Sequence, residues 1–197
     1  MRNSINPKKF GGGYFNDTKT DSLENPKVFL RKIDIKDTSN ILKWRNSKSV
    51  KNNLYSQEDL TEEQHICWLN NKVFTGLCAQ YIISVIDNES SQDIGTVFIK
   101  NIDHTCHKGE FGIQIGEESA RGKGYGTEAT LQILRIAFDE LRLNRVYLTV
   151  LSNNIAAKKS YLKAGFLTEG ILKEDYCRNG KFYDVELMAI TKSQWIS

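Results

Sequence analysis

The segment most able to do chemistry is Arg121-Gly122-Lys123-Gly124-Tyr125-Gly126-Thr127-Glu128-Ala129, with three glycines at alternate positions. Glycines in this pattern let the main chain approach a ligand closely and adopt turns closed to other residues. If a helix follows, its first N–H groups have no intrahelical acceptor and its dipole favours an anion at that end. The segment therefore reads as a pyrophosphate cradle made of backbone, with Gly122, Lys123, Gly124, Tyr125, Gly126 and Thr127 lining it. Neither GxGxxG nor GxxxxGK[ST] fits the register, so the dinucleotide and Walker fingerprints do not apply. Taken alone, a glycine-rich turn is equally well a structural one.

A second motif begins at Asn154, where Asn154, Ala157 and Tyr161 precede Gly165-Phe166. Asn154 and Tyr161 lie two helical turns apart, so they share a face with Ala157 between them. An amide, a small residue and a phenol in line describe a groove wall for a slender ligand; a packed tyrosine with a satisfied hydroxyl is the alternative. Cys67, Cys78, Cys106 and Cys177 form no CxxC pair, so reduced thiols are expected. His104-Thr105-Cys106-His107 gathers three soft ligands without zinc-knuckle spacing, and a polar hairpin connection with no metal is expected there.

These residues need a scaffold, and the chain has the means to build one. Its 197 residues, 40% hydrophobic and 26% charged, suit one globular domain. A net charge of +3 is too small to argue for nucleic acid or a membrane surface. No apolar run approaches the roughly 20 residues needed to cross a bilayer, and the N-terminus lacks the apolar core of a secretory signal. A cytoplasmic protein is expected. Residues 1–26, rich in Asn, Lys, Gly, Asp and Thr, read as a flexible tail, leaving 27–197 as the domain.

Within the domain, Val28–Ile33 reads as a strand, with Asp37-Thr38-Ser39 as an N-cap for a helix through Trp44-Arg45-Asn46. Thr61 and Gln64 have capping-box spacing before His65, Ile66, Trp68 and Leu69. Tyr81–Asp87 and Ile94–Ile102 read as a hairpin across 88–93. In the strand Glu110–Gly116, Phe111, Ile113 and Ile115 share one face. Leu131, Leu134, Phe138 and Leu141 mark the buried side of the long helix after the glycines. Val146–Leu151 is a strand, 154–164 a helix, and Asn179-Gly180 a hairpin turn before Lys181–Thr191. Hairpins followed by strand–helix–strand–helix make one mixed α/β (α+β) domain, with a mainly antiparallel central sheet flanked by helices.

The paired motifs resemble those of the GNAT acetyltransferase superfamily. Its [QR]-x-x-G-x-[GA] pattern is matched by Arg121, Gly124 and Gly126, and its N-x-x-A-x-x-x-Y-x-x-x-G-F segment by Asn154 through Phe166. The likeness runs from about Phe29 to Thr191. It implies acetyl-CoA as co-substrate, with the pyrophosphate on Gly122–Gly126 and the pantetheine arm along Ile113, Gln114 and Ile115, opposite Val146–Leu151. It assigns leaving-thiol protonation to Tyr161 and oxyanion stabilisation to the Ile115 N–H. An amine with pKa near ~10.4 is mostly protonated at neutral pH, so attack benefits from a base. Glu110, eleven residues before Arg121, stands where one branch of the family carries such a glutamate. Arg45, Asn46, Tyr55 and Trp68 look like the acceptor pocket of a subgroup acting on nucleotide-linked amino sugars. The expected acceptor is thus a small-molecule amine, best a UDP-amino sugar, with Arg45, Lys48 and Lys51 meeting the diphosphate. A polyamine or ribosomal-protein amine is the first alternative, and a non-catalytic acetyl-CoA-binding module the second. Strand sharing, common in the family, makes a homodimer a further expectation.

Overall fold

The computed structural model describes residues 28–87 and 90–195, so the expected tail at 1–26 lies outside the described residues. Seven strands form one sheet in the order β1-β2-β3-β4-β5-β7-β6. They are β1 Val28–Lys32, β2 Ala79–Asp87, β3 Ser90–Asp103, β4 Lys108–Ile115, β5 Arg145–Leu151, β6 Leu167–Arg178 and β7 Lys181–Thr191. Every neighbouring pair is antiparallel except β4 and β5. The β2–β3 ladder runs as far as Asp87↔Ser90, so β3 starts four residues before the apolar run that marks it in the sequence. Residues 90–92 are exposed and pair through the backbone, whereas the half-buried Asp93 also accepts from Arg31 and from Ser84 Oγ (2.6 Å).

Alternation along the strands separates two apolar layers. On one face Ile83, Val97, Ile99, Phe111, Val146 and Leu148 pack beneath α4 (Tyr125–Arg135) and α5 (Ile155–Lys163). On the other, Ile82 packs with Ile41 and Trp44 of α1 (Thr38–Arg45) and with Leu69, just after α3 (Glu62–Trp68). Burying a side chain such as Trp44 or Ile133, both at most 1% exposed, stabilises the fold by about 1.5–3 kcal/mol each.

Two expected details change. Along α4 and the helical turn that follows it, Ile136–Glu140, the buried stripe is Ala129, Thr130, Ile133, Leu134, Ala137 and Phe138, whereas Leu131 is 38% exposed. Leu134 and Phe138 are buried as read, beside Ile133 and the smaller Ala129, Thr130 and Ala137. Asp37 does not cap α1 with its side chain; its carboxylate binds the Arg31 guanidinium (2.7 and 2.8 Å) and the Asp34 N–H (2.8 Å). A charged partner outcompetes the helix end for a buried carboxylate. The Thr61–Gln64 capping box forms as read, with both reciprocal bonds. Residues 104–107 are the β3–β4 turn, in which Asp103 Oδ1 accepts from the N–H groups of Thr105 and Cys106. All four cysteines are free thiols. Among the described residues no helix is long and apolar enough to cross a membrane.

Candidate active site

A single opening in the sheet organises the site. The parallel β4–β5 ladder holds only from Lys108↔Arg145 to Glu110↔Tyr147 and then the strands part. The gap continues into a cavity of about 830 Å³ lined by both layers of the molecule. The Gly116 N–H donates to Ile94 O in the β3 ladder. Because successive amides in a strand point to opposite sides, those of Ile113 and Ile115 turn away from β3, into the gap. The Ile115 carbonyl is held by Arg121, whose Nε and Nη2 donate to it at 3.1 and 2.9 Å. Arg121 also reaches Ser49 Oγ at 3.2 Å. Its side chain fixes the end of β4 rather than presenting itself to an anion.

On the α4–α5 side the glycine turn lies at the cavity wall. Gly122 and Gly124 have φ of +74° and +87°, and a Cβ at either would meet no atom within 4 Å. Among the described residues the N–H groups of Gly122, Lys123, Gly124, Tyr125 and Gly126 have no acceptor, since the first turn of α4 begins with Thr127 and Glu128 donating to Gly124 O. A row of free N–H groups beside open space, at a helix N-terminus, is chemically suited to a diphosphate. Gly122, Gly124, Gly126 and Thr127 line the main cavity. The side chains of Lys123 and Tyr125 instead turn to a small separate pocket near Ser90 and Gln92. Thr127 Oγ1 lies 2.9 Å from Ser160 Oγ, joining α4 to α5. Asn154 and Ala157 both border the cavity, but Asn154 Oδ1 caps α5 by accepting from the Ala157 N–H (3.2 Å). Its amide oxygen serves the helix before any ligand.

Tyr161 stands at the gap, edge-on to Phe111 with ring centroids 5.6 Å apart. Its hydroxyl makes no hydrogen bond among the described residues, and burial pushes its phenol well above the ordinary value of 10.0. At neutral pH the proton stays on the oxygen. Glu110 faces the opposite side of the sheet, ion-paired to Lys100 Nζ (3.0 Å) and accepting from Asn101 Nδ2 (2.9 Å). Its carboxylate lies in the cavity wall on the α1–α3 side.

The α1–α3 side forms a second chamber. Arg45, Tyr55 and Trp68 line it, as expected from the sequence. Asn46 does not; its side chain clamps Leu60, with Nδ2 donating to Leu60 O (2.9 Å) and Oδ1 accepting from Leu60 N (2.8 Å). Of the three cations expected to meet a diphosphate, Arg45 alone reaches the cavity; Lys51 is paired with Asp59. Gln114 alternates away from Ile113 and Ile115 onto this chamber, with its Nε2 buried and unpartnered. The sequence reading missed how the loop carrying Tyr55 is held. The end of β6 clamps it: Tyr176 Oη donates to Tyr55 O (2.7 Å), and Arg178 donates to Asn52 O and Leu54 O (2.9 Å each). No local pattern announces a contact across more than 120 residues. Among the described residues no group of three or more His, Cys, Asp or Glu side chains is placed to hold a metal.

The split sheet thus joins a row of free backbone N–H groups on one side to a polar chamber on the other. The sequence profile of the acetyltransferase (GNAT) domain matches residues 27–167, and the chain belongs to that family. It is 32% identical over 113 residues to the spermidine N(1)-acetyltransferase of Vibrio cholerae, which is 57% of this chain and 65% of that protein. It is also 32% identical over 101 residues to the putative ribosomal N-acetyltransferase YdaF of Bacillus subtilis, 51% of this chain and 55% of YdaF. The chain thus spans less than two thirds of these curated relatives in the matched regions. The crystal structure of spermidine N-acetyltransferase from Vibrio cholerae in complex with CoA and spermine superposes with a TM-score of 0.80 at 24% identity. That match covers 88% of this chain and all of the other, and it shows a common fold.

Proposed function

We propose that the protein transfers the acetyl group of acetyl-CoA to a primary amine. The observation that carries this reading is the β4–β5 gap, which joins the free N–H row at Gly122–Gly126 to the chamber under α1 and α3. Acetyl-CoA supplies an activated thioester, and the chain's own residues do the rest. The cradle holds the diphosphate, while Ile113 and Ile115 offer main-chain groups along the gap. The Ile115 N–H faces the place where negative charge grows on the carbonyl oxygen. Glu110, directly or through water, takes the proton from the amine, and the Tyr161 hydroxyl gives one to the departing sulfur.

The relatives shift the acceptor away from the nucleotide-linked amino sugar and toward the polyamine alternative, since those reported above are named for spermidine and for the ribosome. A second reading, the amine of a protein or peptide, is favoured by charge. Among the described residues Glu110 is the sole carboxylate lining the cavity and is already bound to Lys100, whereas a polycation calls for several. A homodimer is supported by the apolar residues exposed on the edge strand β6, Ile171 and Leu172, and by Phe182 beside it on β7.

Thiol release from acetyl-CoA, measured with spermidine, a tripeptide amide and a UDP-amino sugar, tests these acceptors side by side. Turnover with spermidine supports the polyamine reading, turnover with the peptide alone supports the second, and release with none of the three counts against a transferase. Within the active protein, Tyr161→Phe lowers kcat at least tenfold with acetyl-CoA affinity retained; unchanged kcat removes Tyr161 from the mechanism.

A further inference from the structure

The α1–α3 chamber contains three buried polar atoms without partners among the described residues: Arg45 Nη1, His65 Nε2 and Gln114 Nε2. All three residues line the same cavity. Unsatisfied buried polar groups are costly and rare, so three around one space point to a ligand that completes them. His65 is the most informative, being 2% exposed and at the middle of α3. Its Nδ1 lies 3.1 Å from Thr38 Oγ1, and Thr38 has one hydroxyl hydrogen, which goes to Ile35 O at 2.6 Å. Thr38 Oγ1 must therefore accept from Nδ1–H. Burial disfavours the charged ring and pushes the His65 pKa down, so the imidazole is neutral and Nε2 carries a lone pair with no proton.

The three residues stand on elements joined by side-chain contacts. Gln114 is the cross-strand partner of Thr96, whose Oγ1 accepts from Gln80 Nε2 (3.1 Å). Gln80 Oε1 in turn accepts from Trp68 Nε1 (2.9 Å), one turn beyond His65. Arg45 lies two turns from Thr38, on the same side of α1. Thr96, Gln80 and Trp68 satisfy one another, which leaves the two donors, Arg45 and Gln114, and the one acceptor, His65, for the ligand. Arg45 has no carboxylate within ion-pair distance among the described residues; Nη2 donates to Ser56 O at 3.2 Å.

We infer that Arg45, His65 and Gln114 form a subsite reading an amide group carried by the acceptor amine, its carbonyl oxygen toward Arg45 and Gln114 and its N–H toward His65 Nε2. This rests on the N-acetyltransferase reading and deepens its second form. A polyamine offers N–H donors to His65 and no oxygen for the two donors. Such an amide has two sources, the first peptide group of a polypeptide and the amide of a small aminoacyl compound.

The test compares alaninamide with isopropylamine, which replaces the amide by a methyl group, in the full chain and in His65→Phe. The amines' intrinsic reactivities cancel when the ratio of kcat/KM values is compared between the two proteins. Loss of one buried hydrogen bond is expected to lower that ratio about tenfold. An unchanged ratio overturns the subsite. Ala-Ala-Ala amide, run alongside, separates the sources: a further rise over alaninamide assigns the peptide, and parity assigns the small amide. A binding readout stands apart from turnover and from the folding of the variant. In histidine-labelled protein holding CoA, the 15N resonance of His65 Nε2 shifts on addition of alaninamide and stays in place with isopropylamine. Equal behaviour with both amines overturns the subsite even if acetyl transfer is observed. Conversely, a selective shift without thiol release from any amine keeps the subsite and refutes the transferase reading.

Discussion

Gly124→Ala tests the cradle through a penalty that can be worked out beforehand. Gly124 has φ +87°, and a methyl group there would meet no atom within 4 Å, so there is no clash and the cost is purely conformational. Holding alanine in the left-handed region costs about 1–2 kcal/mol, of which about 0.4–1 is offset because alanine also restricts the unfolded chain. The net loss is about 1 kcal/mol, or roughly 2–4 °C in Tm for a domain of this size. Gly180 provides a matched control. It too has positive φ (+74°) and open space at Cβ, but it sits in the β6–β7 turn, outside the cavity lining. Melting curves of both variants, with and without acetyl-CoA, should show similar losses in the free proteins. Only Gly124→Ala should lose the stabilisation by acetyl-CoA, because its methyl group enters the space onto which the free N–H groups open. If both variants retain the same acetyl-CoA-induced rise as the unsubstituted chain, the pyrophosphate does not lie on this turn.

Three further outcomes follow from contacts elsewhere. Lys158 pairs at 2.5 Å with Glu186, which is 5% exposed, so Lys158→Ala strands a buried carboxylate. Thr168 and water reaching the partly exposed lysine position offset some of the penalty, leaving a loss of about 2 kcal/mol by denaturant titration; a change below about 0.5 kcal/mol would show that the pair contributes nothing. Arg178→Ala releases the loop bearing Tyr55 and should raise the KM for the amine several-fold with little change for acetyl-CoA; equal effects on both would refute the clamp. Burial pushes the Asp37 carboxyl up, but Arg31 and the Asp34 N–H outweigh it and hold the pKa below the ordinary 3.8. The folded state then binds fewer protons than the unfolded one, so this contribution is present above pH 3.8 and disappears as pH falls through the lower folded value. Asp37→Asn should flatten the acid limb of the stability curve, and an unaltered limb would contradict the assignment.

What could be read from the sequence was local. The glycine turn, the Thr61–Gln64 box and the Asn179-Gly180 turn are set by residues within a few positions, and each forms where its pattern places it. The motif pair around Arg121 and Asn154 led to the family because both segments carry fixed spacings. Asn46 and Asp37 deceived because their side chains found distant or charged partners instead of the local roles their types suggest. Leu131 deceived because the face that met the sheet is centred on Ala129, Ile133, Leu134 and Phe138, which turns Leu131 outward. The parting of β4 from β5 and the clamp of Arg178 on residues 52–54 arise between segments far apart in the chain, so no window of sequence contains them.

The central claim is that acetyl-CoA is held by the main chain of Gly122–Gly126 and enters the gap between β4 and β5. Amide spectra of uniformly 15N-labelled protein, recorded as CoA is added, address it atom by atom. The account predicts that the N–H signals of Gly122, Gly124 and Gly126 shift most, together with those of Ile113 and Ile115. Saturable CoA binding that leaves these five signals in place would contradict it.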